Sequence, residues 1–257
     1  MRAGSCAPLL AIALPVAAAG VPEYASEGAS ASTVVTRAVW MGDSVAYDLA
    51  PGVVAAFEAS GIEVETYAYP GVSLTSQAFL REGEEWFEDH HQLQIELSSA
   101  DIVFWQLSHF DAASPPDVLL LAHTRFADIA LRSDYRAVVF VTAPPVRDTT
   151  ASLHEAHWAD VIAAARGAIE RDPDRVVLLD TGEMWETTFA RDSPDGRPLR
   201  KPDGMHLCQP AVVDFAEYLL GWVSETFDGV TPAAPSTWTD DWWEDERYDN
   251  PPGGCDP

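Results

Sequence analysis

Two rhythms of apolar and polar positions run through this chain. Short apolar stretches at 33–40, 102–107, 137–142 and 176–179 are nearly unbroken, as in strands covered on both faces. Ile62-Glu63-Val64-Glu65-Thr66-Tyr67-Ala68 alternates residue by residue and predicts one more strand. Between these runs lie longer segments with helical spacing, at 46–60, 84–97, 116–132, 153–171 and 211–227. Gly61 closes the first of them as a C-terminal glycine, and Pro116 opens the third. Pro51 predicts a kink in the first turns of 46–60. In 84–97 the buried side is Trp86, Phe87, Leu93 and Leu97. Strand and helix take turns to the end, which calls for a parallel sheet with helices on both faces. The expected fold is therefore α/β: a flavodoxin-like three-layer sandwich with five parallel strands in the order 2-1-3-4-5.

The two ends of the chain fall outside this alternation. Arg2 followed by the apolar run 7–19 and Ala17-Ala18-Ala19 has the form of a signal peptide. Pro8, Pro15 and the shortness of the run oppose a spanning helix. Residues 23–32, rich in Ala, Ser, Gly and Glu, read as a linker, so 1–32 is set apart from a single domain at 33–227. Residues 228–257 form an acidic, Trp-rich tail rather than a second domain. Fifteen basic against 41 acidic residues give a formal net charge of −26. A surface of that sign repels phosphate backbones and anionic lipid, so neither nucleic acid nor a membrane surface is an expected partner. Removal of a signal segment containing Cys6 would leave Cys208 and Cys255, an even pair that predicts one disulfide in an exported protein. The expected location is secreted or cell-surface.

The chemistry concentrates in two stretches. Gly42-Asp43-Ser44 lies where the first strand gives way to the first helix. A serine there stands at the carboxyl end of a central strand, where open α/β sheets place their ligands. Its own N–H is also a free donor at a helix start, suited to a developing oxyanion. The plain alternative is a helix-capping serine. Far along the chain, Asp203-Gly204-Met205-His206 places a carboxylate and an imidazole three residues apart. A serine hydroxyl needs a base, and the base needs an orienting acceptor on its other nitrogen. Ser44, His206 and Asp203 can fill those three roles.

Gly-Asp-Ser with Leu49 five residues on, and Asp-x-x-His-Leu late in the α/β region, resembles the GDSL/SGNH hydrolase family over about residues 33–222. The α/β-hydrolase elbow fits less well, because Ala46 stands where its second glycine belongs. The resemblance implies a serine esterase or acyl hydrolase with no metal or organic cofactor. It makes Ser44 the nucleophile, His206 the base and Asp203 its partner. It also assigns the N–H groups of Ser44 and Gly71 to the oxyanion hole. The family's third block has Gly-x-Asn-Asp, whose Asn amide is a further oxyanion donor; here the stretch reads Ser108-His109-Phe110-Asp111. Phe110 cannot donate a hydrogen bond, and loss of one such donor typically costs about 10²–10³ in rate. Gln106 and His109 are the candidate substitutes, with Asp111 beside them, though neither is in register. An aromatic at this position, with Cys208 after the histidine block and the Pro-Pro-Gly-Gly-Cys ending, resembles the branch associated with membrane O-acyltransferases. Short acyl esters of carbohydrates, acetyl above all, are then the expected substrates. Acyl transfer to a sugar hydroxyl and a non-catalytic glycan-binding domain are the two alternatives. His90-His91 and His154-x-x-His157 have ligand-like spacing, but no second cluster accompanies either, so they are expected on helix surfaces. Trp238, Trp242 and Trp243 are expected to cover a side of the domain rather than to stack on sugars.

Overall fold

The computed structural model describes residues 34–75, 95, 98–147, 155–185, 189–240, 242–249 and 254–255. The signal-like segment, the linker and the predicted helix at 84–97, apart from Ile95, lie outside the described residues, as do His90, His91 and His154.

Five strands, β1 (Arg37–Gly42), β2 (Glu63–Ala68), β3 (Ile102–Gln106), β4 (Ala137–Val141) and β5 (Val176–Leu179), form one sheet ordered β2-β1-β3-β4-β5. All four pairings are parallel, with Gly42 opposite Ala68 and Met41 opposite Trp105. β3 and β4 are buried along their whole length, which explains their unbroken apolar runs. Edge strand β2 keeps its alternation because part of it faces solvent.

Helices α1 (Ser44–Ala59) and α5 (Gln209–Thr226) cover one face, with Trp40, Phe57, Phe104 and Phe215 among the residues packed between. Helices α2 (Pro116–Arg132) and α3 (Glu155–Ile169) cover the other, around Trp105, Phe126 and Phe140. A short helix, α4 (Gly182–Trp185), follows β5.

Two boundaries differ from the sequence expectation in a way that matters for the site. β1 runs to Gly42 rather than stopping at Trp40, and α1 starts at Ser44 rather than Ala46. The cause is a cap: the Asp43 side chain accepts from the Val45 N–H, which lets the helix begin at once. Hydrophobic periodicity does not register a cap. Pro51 lies inside α1, which continues through it as one helix.

The tail packs on the α1/α5 face. Trp238, Trp242 and Tyr248 are buried in the same apolar cluster as α1 and α5, whereas Trp243 remains 38% exposed. Cys208, at the start of α5, is disulfide-bonded to Cys255, with Cα atoms 5.4 Å apart.

Candidate active site

The turn from β1 into α1 requires glycine at position 42. Its φ is +150°, and a Cβ there would stand 2.6 Å from the Ala46 Cβ and 3.1 Å from the Gln106 carbonyl oxygen. Asp43 then fixes the turn from both sides. One carboxylate oxygen accepts from the Val45 N–H at 2.8 Å and the other from the Ser108 hydroxyl at 2.6 Å. Burial pushes the Asp43 carboxyl up to about 6, against the hydrogen bonds from Ser108, Val45 and Ala46 that favour its charged form. So anchored, Ser44 is the first residue of α1, at the carboxyl end of a central strand and at the point where the strand order reverses.

The histidine arrives on a tight loop after β5. The Lys201 N–H donates to the His206 carbonyl at 2.9 Å, and the Gly204 N–H donates to the Lys201 carbonyl at 3.0 Å. Asp203 Oδ1 accepts from the N–H groups of Met205 at 2.9 Å and His206 at 3.0 Å. Gly204 has a φ of +77°, and a Cβ on it would meet the Arg147 Cβ at 2.6 Å. Arg147 in turn donates its N–H to the Gly204 carbonyl at 3.0 Å, which holds the loop from outside.

These two turns bring three side chains into line. His206 Nδ1 lies 2.6 Å from Asp203 Oδ2, and His206 Nε2 lies 2.8 Å from Ser44 Oγ. Carboxylate oxygen can only accept, so Nδ1 carries the proton and Nε2 of the neutral ring is left to accept from the serine hydroxyl. The hydrogen bond to Asp203 raises the His206 pKa, burial opposes it, and the nearby charge of Asp48 adds to the rise. Burial raises Asp203 in turn, but the bonds from His206 and from the Met205 and His206 N–H groups outweigh it and hold this carboxyl well below the usual carboxylate range.

Gly71 lies in the turn after β2, with a φ of +82°. The Tyr69 N–H in that turn donates to the Gly42 carbonyl at 3.0 Å, which ties it to the serine's turn. Among the described residues, no group accepts from the N–H of Ser44 or of Gly71. A cleft of about 730 Å³ opens over Ser44 and His206, with Tyr47 and Pro70 on one wall and Glu246, Arg247 and Asp249 of the tail on another.

The third-block residues have other partners. Gln106 is fully buried and its amide donates to the Leu107 carbonyl at 3.2 Å. The His109 ring bonds the Pro144 carbonyl through Nε2 at 3.0 Å and stacks on Trp158. Asp111 accepts from the N–H and hydroxyl of Thr75 at 2.8 and 2.7 Å. Phe110 is 45% exposed. Of the histidine pairs, only His157 is described; it is exposed beside Asp160, and no metal-binding group of side chains occurs among the described residues.

Sequence reading missed three contributors. Ser108 fixes Asp43 by a hydroxyl contact that no local motif announces. A buried ion pair, Asp48 with Lys201 at 3.2 Å, sits next to the His206 loop. Arg247 reaches α1 from the tail and donates to the Tyr47 carbonyl at 2.6 Å. That last contact had a signal in the sequence. Pro51 has no N–H, so it leaves the carbonyl four residues earlier, that of Tyr47, without its helical donor. Arg247 fills the gap, and its guanidinium lies 4.2 Å from the centre of the Tyr47 ring.

No family model and no curated protein matches the chain. Solved structures do match, several of them over nearly their whole length. A carbohydrate acetylesterase from Sinorhizobium meliloti superposes with a TM-score of 0.54 at 13% identity, covering 75% of this chain and 100% of the other. A candidate SGNH hydrolase from Slackia heliotrinireducens gives 0.52 at 18% identity over 72% of this chain and 99% of the other. An aryl esterase from M. smegmatis gives 0.51 at 16% identity over 74% and 99%. The fold is the flavodoxin-like α/β sandwich that these SGNH hydrolases and esterases share.

Proposed function

We propose that the chain is a serine esterase of the SGNH type, acting on short acyl esters of carbohydrates through an acyl-enzyme. The observation that carries this reading is the unbroken hydrogen-bond chain from Asp203 through His206 to Ser44. Ser44 Oγ attacks the ester carbonyl while His206 Nε2 takes its proton. The carbonyl oxygen becomes an oxyanion held by the N–H groups of Ser44 and Gly71. His206 returns the proton to the departing alcohol, leaving the acyl group on Ser44. Water then attacks, again through His206, and the acid is released. Asp203 holds the ring in the required tautomer and stabilises the imidazolium that forms at each step. An intact chain of this kind favours a catalyst over a glycan-binding module. With Phe110 in place of an amide donor, two N–H groups do the work of three, so turnover is slow.

Substrate class rests on the cleft and on the neighbours. The walls beside Ser44 carry Glu246, Arg247 and Asp249, which offer hydrogen-bonding groups to a sugar rather than an apolar trough to an acyl chain. No described helix is long and apolar enough to cross a membrane. One structural neighbour is a carbohydrate acetylesterase from Sinorhizobium meliloti and another a family 3 carbohydrate esterase from Talaromyces cellulolyticus. The disulfide supports export to an oxidising compartment, where such esters are met. Turnover of acetyl, butyryl and dodecanoyl esters tests the reading. Rates should fall steeply in that order, and a preference for dodecanoyl would make the chain a lipase instead.

The pH profile follows from the base. His206 must be neutral to accept the serine proton, and Asp203 raises its pKa above the free-histidine value of 6.5. Activity should therefore be full above that raised pKa and lost as pH falls through it. A kcat/KM that stays flat from pH 8 down to pH 5 would remove His206 from the role of base.

A further inference from the structure

Asp48 lies one helical turn after Ser44 on α1 and is 2% exposed. Its carboxylate makes two bonds, and they go to the two ends of the histidine loop. Oδ1 lies 3.2 Å from Lys201 Nζ, two residues before Asp203. Oδ2 accepts from the Leu207 N–H at 2.9 Å, one residue after His206. The Asp48 backbone carbonyl accepts from the Tyr248 hydroxyl at 2.7 Å, and Lys201 Nζ donates a second bond to the Arg247 carbonyl at 2.7 Å. One side chain thus joins the serine's helix, both ends of the histidine loop and, through its partners, the tail.

We infer that Asp48 is a positioning residue for the proposed esterase: braced by Lys201 and the tail, it sets the His206 loop against Ser44 and supplies the histidine with a second negative charge. The inference rests on the proposed esterase reading. Arg147 and the loop's own turn hold its middle, but its ends must be fixed as well, because a displacement of about 1 Å between reacting groups can cost about 10²-fold in rate. A carboxylate shared by both loop ends prevents that, because the loop cannot shift without breaking a bond to a buried charge. Such a pair is a poor device for stability, since taking both ions out of water offsets most of their attraction. Its use here is geometric and electrostatic. The groups facing His206 are Asp203 and Lys201 from its own loop and Asp48 and Ser44 from α1, with Glu246, Arg247 and Asp249 of the tail across the cleft.

The test is an NMR titration of the His206 imidazole in the full chain, which needs no turnover, together with the rate of phosphonate labelling at Ser44. Asp48→Asn keeps the shape but removes the charge that raises His206, while Lys201, which lowers it, stays. Asp48→Asn with Lys201→Met removes both charges and leaves no unpaired ion if the single variant folds poorly. The His206 pKa is expected to be lowest in Asp48→Asn, because the charge that raises it is gone while the one that lowers it stays. Labelling by the folded double variant, compared at pH values where His206 is neutral, should be about 10–100-fold slower than wild type. A His206 titration identical in all three proteins, or a double variant that labels at the wild-type rate, would overturn the inference. Wild-type protein that does not label at all counts against the esterase reading itself, and the titration order still decides whether Asp48 acts on His206.

Discussion

Ser44→Ala should abolish labelling by a fluorophosphonate and lower ester turnover by about 10⁴–10⁶-fold, and His206→Ala should do nearly the same. Both variants remove the same event. Without the hydroxyl there is nothing to acylate, and without the imidazole the hydroxyl at 2.8 Å keeps its proton. The combined variant Ser44→Ala with His206→Ala should therefore be little worse than either alone, because the members of such a set act as a unit. Asp203→Asn should fall between these and wild type. Its side chain can still meet Nδ1, but as a neutral amide it no longer dictates the tautomer or stabilises the imidazolium. Folding is not expected to confuse the result, since His206 and Asp203 are partly exposed and Ser44 to Ala removes one oxygen. The measurements are labelling followed by intact mass and kcat/KM on an acetyl ester. Label retained in Ser44→Ala, or more than a tenth of the activity retained in His206→Ala, would show that the hydrogen-bond chain is not the catalytic one. Unlabelled wild type, where a known serine esterase labels fully, would favour the glycan-binding alternative.

The fold was legible because its strands and helices carry different periods. β3 and β4 are buried on both faces, so they appear as apolar runs too short for a helix, and β2 alternates because it is an edge. The serine and the histidine with its aspartate were legible because each sits in a short local motif whose chemistry is incomplete without the other. What the sequence hid is contact at a distance. The Ser108 hydroxyl reaches Asp43 across 65 positions, and Lys201 reaches Asp48 across 153. Neither residue type is unusual where it stands, and neither contact changes local periodicity. Pro51 shows the opposite case. Expected to kink the helix, it also marks the point where the tail docks, since the Tyr47 carbonyl it leaves open is taken by Arg247. The tail looked separable because its composition differs from that of the domain. In the structure it supplies part of the wall of the cleft, and Trp238, Trp242 and Tyr248 bury themselves against α1 and α5.

Opening the disulfide should cost stability and activity together. Cys208 begins α5, two residues after His206, and Cys255 closes a loop 47 residues long that contains all but the last two residues of the tail. In the chain-entropy model a bond closing a loop of this size stabilises by about 4 kcal/mol. For a domain of this size that corresponds to a fall in Tm of about 8–16 °C on reduction or in Cys255→Ser. The tail is also held without the bond, by the Tyr248 hydroxyl on Asp48 and by Arg247 on Tyr47, so the reduced protein should remain folded at room temperature. Yet its hold on Lys201 and Asp48 should loosen, because the tail's far end is no longer fixed beside the histidine loop. Phosphonate labelling of reduced protein should therefore slow before the domain melts, and reoxidation should restore it. Thermal melts with and without reductant, alongside labelling rates at 25 °C, separate the two effects. A Tm change below about 2 °C would mean that the noncovalent contacts alone hold the tail. A large Tm change with an unaltered labelling rate would mean that the tail stabilises the domain without shaping the site.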